Sequence, residues 1–532
     1  MATAVAGDYV VDAKRDRLVI LASSLGTVFE WYDFFIYGTL AAVIAKLFFP
    51  AASETAGFLL ALATFGAGFG VRPLGAILFG YLGDKLGRKY TFLVTITLMG
   101  LATAAVGLLP TYAQIGIAAP ILLVICRLLQ GLALGGEYGG AAIYVAEHAP
   151  KNKRGFYTSF IQASVIGGFL LSVIVVLTSN AFVDPIQWEA WGWRVPFLFS
   201  LVLLGISLWV RLKLKESPVF QAIKEAGECA KNPVKESFDS WPKLKLVLVA
   251  LFGIAAGLTV IWYTAQFQAL YFLQNTLRID DNAARLMIGI AAMFSVFWFI
   301  LFGWLSDKVG RKKPIVIGYA LTLLLMFPLF HWMAAAANPE LSAAMERSPI
   351  VVTGSDCRYD PFASKGQETA CGRVLDVLSK KGVAYSTTEG AAGAAPALTI
   401  GGTAVDAADP AALDAALEGA GYKTAKTVPS FAQAAQVVLA IVIIGMLSGM
   451  TFGPVAALLV ELFPARVRYT SMSVPYHIGT GYFGGFLPFI SQYIVAKTGD
   501  PFAGLWYTIG VVAMTLVVTF FWLPETSGKE LD

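Results

Sequence analysis

Ser23, Thr27, Glu30, Asp33 and Tyr37 are spaced 4, 3, 3 and 4 residues apart, which puts them on one face of a helix. They fall within the apolar stretch 19–48, long enough to cross a bilayer. An ionisable side chain there costs about 2.5–3.5 kcal/mol on insertion scales, so this face cannot meet lipid and must line a cavity. Arg72 lies in a second stretch, and Arg127, Gln130 and Glu137 lie in a fourth, where they can share a face. A carboxyl group in a desolvated cavity holds its proton to higher pH, and a nearby guanidinium opposes that. Such an acid can load a proton on one side of a membrane and release it on the other. Glu30, Asp33 and Glu137 are therefore the candidates for carrying the coupling proton, with Arg127 as the counter-ion that tunes them. A planar guanidinium can hold both oxygens of a carboxylate. This makes Arg72 the candidate substrate anchor, with Tyr37, Gln130, Trp262, Tyr263, Gln266 and Tyr476 around it. A structural reading, buried ion pairs that fix helix packing, stays open for Arg127 with Glu137. It suits Glu30 and Asp33 less, since they have no base within one turn.

These residues need membrane-spanning helices to position them. The chain has 532 residues, 57% hydrophobic and 14% charged, with a mean hydropathy of +0.68. Soluble domains carry about 25% charge. Apolar runs lie near 19–48, 57–82, 91–110, 117–146, 157–178, 195–212, 245–274, 284–305, 314–337, 431–460, 472–496 and 502–523. We number them as spans one to twelve. The polar first 18 residues lack a signal-peptide pattern. Lys and Arg collect in alternate loops, as in Lys85–Lys89, Lys151–Arg154 and Lys308–Lys313, which places both termini in the cytoplasm. The net charge of +4 calls for no nucleic acid, and no Cys/His cluster offers a metal site. No GxxxxGK[ST] loop points to ATP, and no nucleophile–base cluster suggests an enzyme. Gly131, Gly135 and Gly139, like Gly66 and Gly70, are four apart, a spacing that lets helices pack closely.

The chain also repeats itself. GYLGDKLGRK at 80–89 returns as GWLSDKVGRK at 303–312, so Asp84 and Arg88 match Asp307 and Arg311. Gly26, Trp31 and Tyr32 match Gly257, Trp262 and Tyr263, while Glu147, Pro150 and Arg154 match Glu461, Pro464 and Arg468. The matches define two parallel six-span halves, an architecture of alternating-access carriers. The acids of span one become Ile261 and Thr264 in span seven, which points to ion coupling in the first half. The expected organisation is a six-helix bundle at 1–212, a cytoplasmic linker at 213–243, and spans seven to nine at 244–337. An extracytoplasmic α+β insertion at 338–430 precedes spans ten to twelve at 431–532. Within the insertion, strands are expected at 350–353, 383–388 and 397–400, with helices at 368–381 and 410–417. Cys357 and Cys371 lie there, and an oxidising compartment permits a disulfide between them; two unpaired thiols are the alternative. Cys126 reads as a packing residue and Cys229 as a reduced thiol. The insertion either caps the outer mouth or is a tolerated surface module, and outer loops accept such modules readily.

Several segments resemble the major facilitator superfamily, and within it the metabolite:proton symporter family. They are VFEWYDFFIYG (28–38), GVRPLGAILFGYLGDKLGRK (70–89), RLLQGLALGGEYGGAAIYVAEHAP (127–150), LKESPVF (214–220) and ELFPARVRYTSMSVPYHIGTGYFGG (461–485). That family includes proline/betaine, shikimate and 2-oxoglutarate carriers. The resemblance implies an all-α membrane protein of twelve transmembrane helices in two six-helix repeats. It also implies proton-driven import of a small organic acid or zwitterion by alternating access, with no cofactor beyond protons and no second subunit required. A bacterial inner membrane is the implied location. Gly80, Asp84, Gly87 and Arg88, with Asp307 and Arg311, match the family's cytoplasmic gate. Ser306 departs from the pattern, standing where the first half has Gly83, and the insertion has no counterpart in the familiar carriers. An uncoupled facilitator or a transporter-like sensor is the alternative; the eight residues after Pro524 leave a sensor little to signal with.

Overall fold

The structure is a computed structural model. It describes residues 13–50, 54–86, 88–136, 149–212, 238–363, 366–422, 425–464 and 468–531, with single positions 139, 142, 143, 145, 146 and 235. Helix occupies all twelve expected segments among the described residues. Among the described residues, seven helices are long and apolar enough to cross a membrane, and nine are if each of two bent pairs counts once. One bent pair is span one, Leu25–Thr39 followed by Ala41–Phe48 at 60°. The other leads into span six, Pro185–Gly192 followed by Arg194–Trp209 at 55°.

Local chemistry accounts for the ends and breaks. Span two divides at Val71, between Glu54–Gly70 and Arg72–Leu86, because Pro73 in the first turn of the second piece has no N–H to continue the ladder. Span eight, Asp281–Val309, starts on Asp280, whose carboxylate accepts from the amides of Asn282 and Ala283. Span ten starts on a capping box made by Ser430 and Gln433. Span seven, Trp241–Thr276, contains three π-helical stretches at Leu251–Ala255, Thr264–Gln268 and Phe272–Thr276. Each inserts one residue into a turn and rotates the remainder of the helix, often at functional sites.

Close packing of spans two and four depends on glycine. A Cβ on Gly131 would be driven into the carbonyl of Gly68, and one on Gly135 into that of Arg72.

The residues between spans nine and ten build a separate small core. Four strands form a sheet ordered β2-β1-β3-β4: β1 Ile350–Gly354, β2 Ser386–Glu389, β3 Ala397–Ile400 and β4 Thr403–Val405. β1 runs parallel to β2 and antiparallel to β3. Its β-branched run buries Ile350 and Val352. Helix Ala370–Lys381 begins on the side chain of Thr369 and ends on left-handed Gly382. It presents Cys371, Leu375 and Leu378 inward. A disulfide joins Cys371 to Cys357. This core, with Leu413, Leu417 and Tyr422, is distinct from the large cluster of the spans. Two of its elements lie beyond the expected pattern: β4, and helix Pro339–Arg347, which starts on Asn338.

Candidate functional site

Span one brings Glu30, Asp33 and Tyr37 into the interior, the two acids at 5% exposure. Asp33 Oδ1 has no hydrogen-bond partner among the described residues. Its counterpart in span seven, Thr264, is engaged with Thr508 at 2.8 Å. The first half thus keeps an uncommitted carboxyl oxygen where the second has a satisfied hydroxyl pair.

Span four adds Arg127 and Gln130, one turn apart and both fully buried. Arg127 Nη1 donates to Gln130 Oε1 at 2.6 Å. Gln130 Nε2 in turn donates to Thr103 Oγ1 at 2.7 Å and to the carbonyl of Asp33 at 3.5 Å. The guanidinium lies over the rings of Phe34 at 4.1 Å and Tyr37 at 4.6 Å. Its Nε and Nη2 have no hydrogen-bond partner, and no described carboxylate lies within ion-pair distance. Removing an isolated charge from water is costly unless something compensates it. The rings offset part of that cost, and two donor nitrogens of the guanidinium remain without a partner.

Arg72 is also fully buried. It reaches across to the second half, donating to Thr480 Oγ1 at 3.3 Å, and lies over the rings of Trp31 and Phe69 at 5.2 and 5.3 Å. Phe69 contacts Tyr263 at 5.5 Å and Phe34 at 4.3 Å between centroids. Phe65, one turn earlier, stacks on Tyr37 at 6.1 Å and lies 5.3 Å from the Arg127 guanidinium. The expected residues Tyr37, Arg72, Arg127 and Tyr263 are therefore gathered around two phenylalanines that a search for polar and charged groups passes over. Their i,i+4 spacing, which points both rings the same way, is the available signal. Trp262 joins through Phe35 at 5.0 Å. Gln266 and Tyr476 are buried. Glu137 lies outside the described residues.

At the end bearing the basic loops, the halves are locked together. Asp307 of span eight accepts from the amides of Gly155 and Phe156, both at 2.8 Å. It caps span five, Arg154–Phe182, in trans at the positive end of that helix. Arg311 donates to Asp307 at 2.6 Å and grips Glu461 with two nitrogens at 3.0 and 3.2 Å. Arg154 lies 3.8 Å from the same glutamate, and Thr526 donates to it at 2.9 Å. The sequence shows Glu461 as the repeat partner of Glu147 and Arg154 as that of Arg468, but not the role of Glu461 and Arg154 in this lock. Of the matching first-half set, Gly87 lies outside the described residues, as do the side chains of Asp84 and Arg88; Gly80 sits in the helix Arg72–Leu86.

Past Pro524, Glu525 straps the lock. Burial pushes its carboxyl up, but the amides of Ser527, Arg311, Lys312 and Thr526 outweigh that and hold it below the ordinary range.

A two-half helical bundle, a buried charged centre and a lock between the halves fit a membrane transporter. The sugar (and other) transporter family model matches residues 18–246 and 416–532, and the chain belongs to that family; its fold is that of a major facilitator superfamily symporter of known structure. The shikimate transporter of Escherichia coli (strain K12) is 41% identical over 328 residues, 60% of this chain and 74% of that one. The inner membrane metabolite transport protein YhjE of the same strain is 31% identical over 516 residues, 96% and 94% of the two chains. The proline/betaine transporter of Salmonella typhimurium is 36% identical over 330 residues, covering 60% of this chain and 65% of its own. The crystal structure of a D-xylose-proton symporter superimposes with a TM-score of 0.62 at 18% identity, over 97% of this chain and all of that one.

Proposed function

We propose that this protein is a proton-coupled symporter importing a small organic acid or zwitterion by alternating access across a bacterial inner membrane, both termini cytoplasmic. The observation that carries the reading is the buried Arg127 guanidinium, without a carboxylate partner among the described residues and linked through Gln130 to the backbone carbonyl of Asp33. A substrate carboxylate compensates that cation. Arg72, which bridges to Thr480 of the second half, holds the opposite side and senses whether the halves are closed. Asp33, with Glu30 one turn away, takes the proton: with the acid neutral, a substrate carboxylate meets Arg127 without a second negative charge in the cavity. Losing the proton at the other face restores that charge and drives the substrate off. The names of the shikimate and proline/betaine relatives support a carboxylate or zwitterion, and the superimposed symporter supports a fold able to couple solute to protons.

The test is uptake into liposomes of labelled shikimate and betaine under an imposed pH gradient. The native chain is expected to concentrate at least one of them. Asp33→Asn is expected to equilibrate it without concentrating it. Concentration by the Asn variant would refute the proton assignment, and equilibration by the native chain would establish a facilitator instead.

A further inference from the structure

A cavity of about 1060 Å³ lies under the insertion, away from the charged centre. Its walls come from three parts of the chain: Phe58 and Asn180 of the first half, Gln274 and Arg285 of the second, and Met345 and Tyr385 of the insertion. The insertion is fastened to the second half. Asn338 donates to the carbonyl of Leu277 at 3.0 Å, and Thr427 exchanges backbone bonds with Arg278 and Asp280 at 2.8 Å. Arg278 donates to the carbonyl of Lys381, and Tyr385 N to that of Gly499. On its other side, helix Ala370–Lys381 packs against Glu54–Gly70 of the first half. It spans the cleft between the halves.

Inside the cavity the charges are unequally engaged. Asp280 is committed to the amides of Asn282 and Ala283, Asp281 pairs with Lys426, and Glu189 with Lys46, while Glu54, also in the wall, acts on Arg278. Arg285, 4% exposed, has no ion-pair partner among the described residues. Its Nη1 donates to Asn282 Oδ1 at 3.1 Å and its Nε to the carbonyl of Thr39 at 3.5 Å. Thr39 stands at the bend of span one, and the neighbouring carbonyl of Gly38 accepts from Tyr271 at 3.0 Å. Arg285 therefore sits where the cavity floor meets the helix that carries Asp33 and Tyr37.

We propose that the insertion roofs an antechamber in which a carboxylate-bearing solute is held on Arg285 before it passes the bend of span one. The direction of travel rests on the transporter reading above, while the anion preference of the chamber does not. A cavity of this size suits a small metabolite. A guanidinium whose acidic neighbours are already engaged favours an anion over a neutral or cationic solute.

The experiment reads the chamber directly. In the full chain carrying Cys126→Ala and Cys229→Ser, a cysteine is placed at Met345 or Phe58. Its reaction rates with a sulfonate-bearing and a trimethylammonium-bearing methanethiosulfonate are compared, each corrected for intrinsic reactivity. The sulfonate reagent is expected to react about tenfold faster. Arg285→Gln should abolish the preference and Arg285→Lys retain most of it, which also reports that the variant is folded. Replacing 340–426 by a short Gly-Ser linker should lower the preference at Phe58→Cys severalfold. Equal rates with both reagents in the unsubstituted Arg285 chain, or a preference unchanged by Arg285→Gln, would overturn the proposal. A chain that shows the preference yet fails to concentrate solute keeps the antechamber and loses the symport reading.

Discussion

The two buried arginines of the centre differ in what they touch. Arg72 reaches a hydroxyl of the opposite half, whereas Arg127 is stacked on rings and hydrogen-bonded only to its own half. Sequence spacing shows that Arg127 and Gln130 share a face, and it separates the acid-bearing span one from its neutral repeat, span seven. It does not show that Arg127 offers two idle donors, because that depends on residues some 60 to 90 positions away meeting in space. Glycine spacing is more legible, since a small residue every fourth position has one common physical use. Gly131 is the sharper case: a methyl group there meets backbone, which cannot swing aside. Gly131→Ala is expected to cost about 1–3 kcal/mol through overpacking and to lower the melting temperature in detergent. Gly205→Ala, whose added Cβ meets nothing within 4 Å, is expected to melt at or slightly above the native temperature.

At the scale of elements, the family resemblance marks Asp307 and Arg311, and in the structure Asp307 supplies the missing cap of another helix. Four donors, from Arg311, Arg154 and Thr526, converge on Glu461. Removing one partner of a buried ion pair costs about 3–5 kcal/mol. Only the Arg154 contact to Glu461 crosses between the halves, and only an interaction that differs between closed and open shifts their balance. Glu461→Gln is therefore expected to favour opening at this end severalfold. A cysteine at Ser159, which packs beside Gly303 in the lock, checks this; its maleimide labelling should accelerate accordingly. The strap responds to pH with a definite sign. Glu525 titrates lower in the folded protein than in the unfolded chain. Its contribution is thus complete above the ordinary carboxylate value of about 4.3 and is lost as the pH falls through its lower folded value. The melting temperature in detergent should fall over that acid window, and Glu525→Gln should flatten the fall. The π stretches of span seven leave no trace in the apolar pattern, because an extra residue in a fully buried helix changes no alternation of apolar and polar.

Across the whole molecule, the arithmetic of the repeat locates the surplus length, and alternation locates most of its elements. The strand at Ala397–Ile400 and the helix from Pro410 fall where expected, whereas the second strand starts at Ser386, three residues late. β4 is only three residues long and largely exposed, too short for periodicity to register. Helix Pro339–Arg347 does carry a start signal, Asn338 followed by proline, but the same residues also mark the edge of a span. The disulfide closes a loop of 14 residues, a constraint worth about 3 kcal/mol in the chain-entropy picture. The Cys357→Ser/Cys371→Ser double variant should weaken the amide hydrogen-exchange protection of β1 and β3 while leaving that of span eight unchanged. The chain leaves the bundle at Asn338 and returns at Thr427, and both positions are bonded to the same short stretch, Leu277–Asp280. The excursion therefore begins and finishes at almost one point, and spans nine and ten keep the separation a plain turn would give them. In genetic terms it is a cassette: a coding segment that another carrier of this architecture could receive, or this one exchange, without re-spacing a single helix.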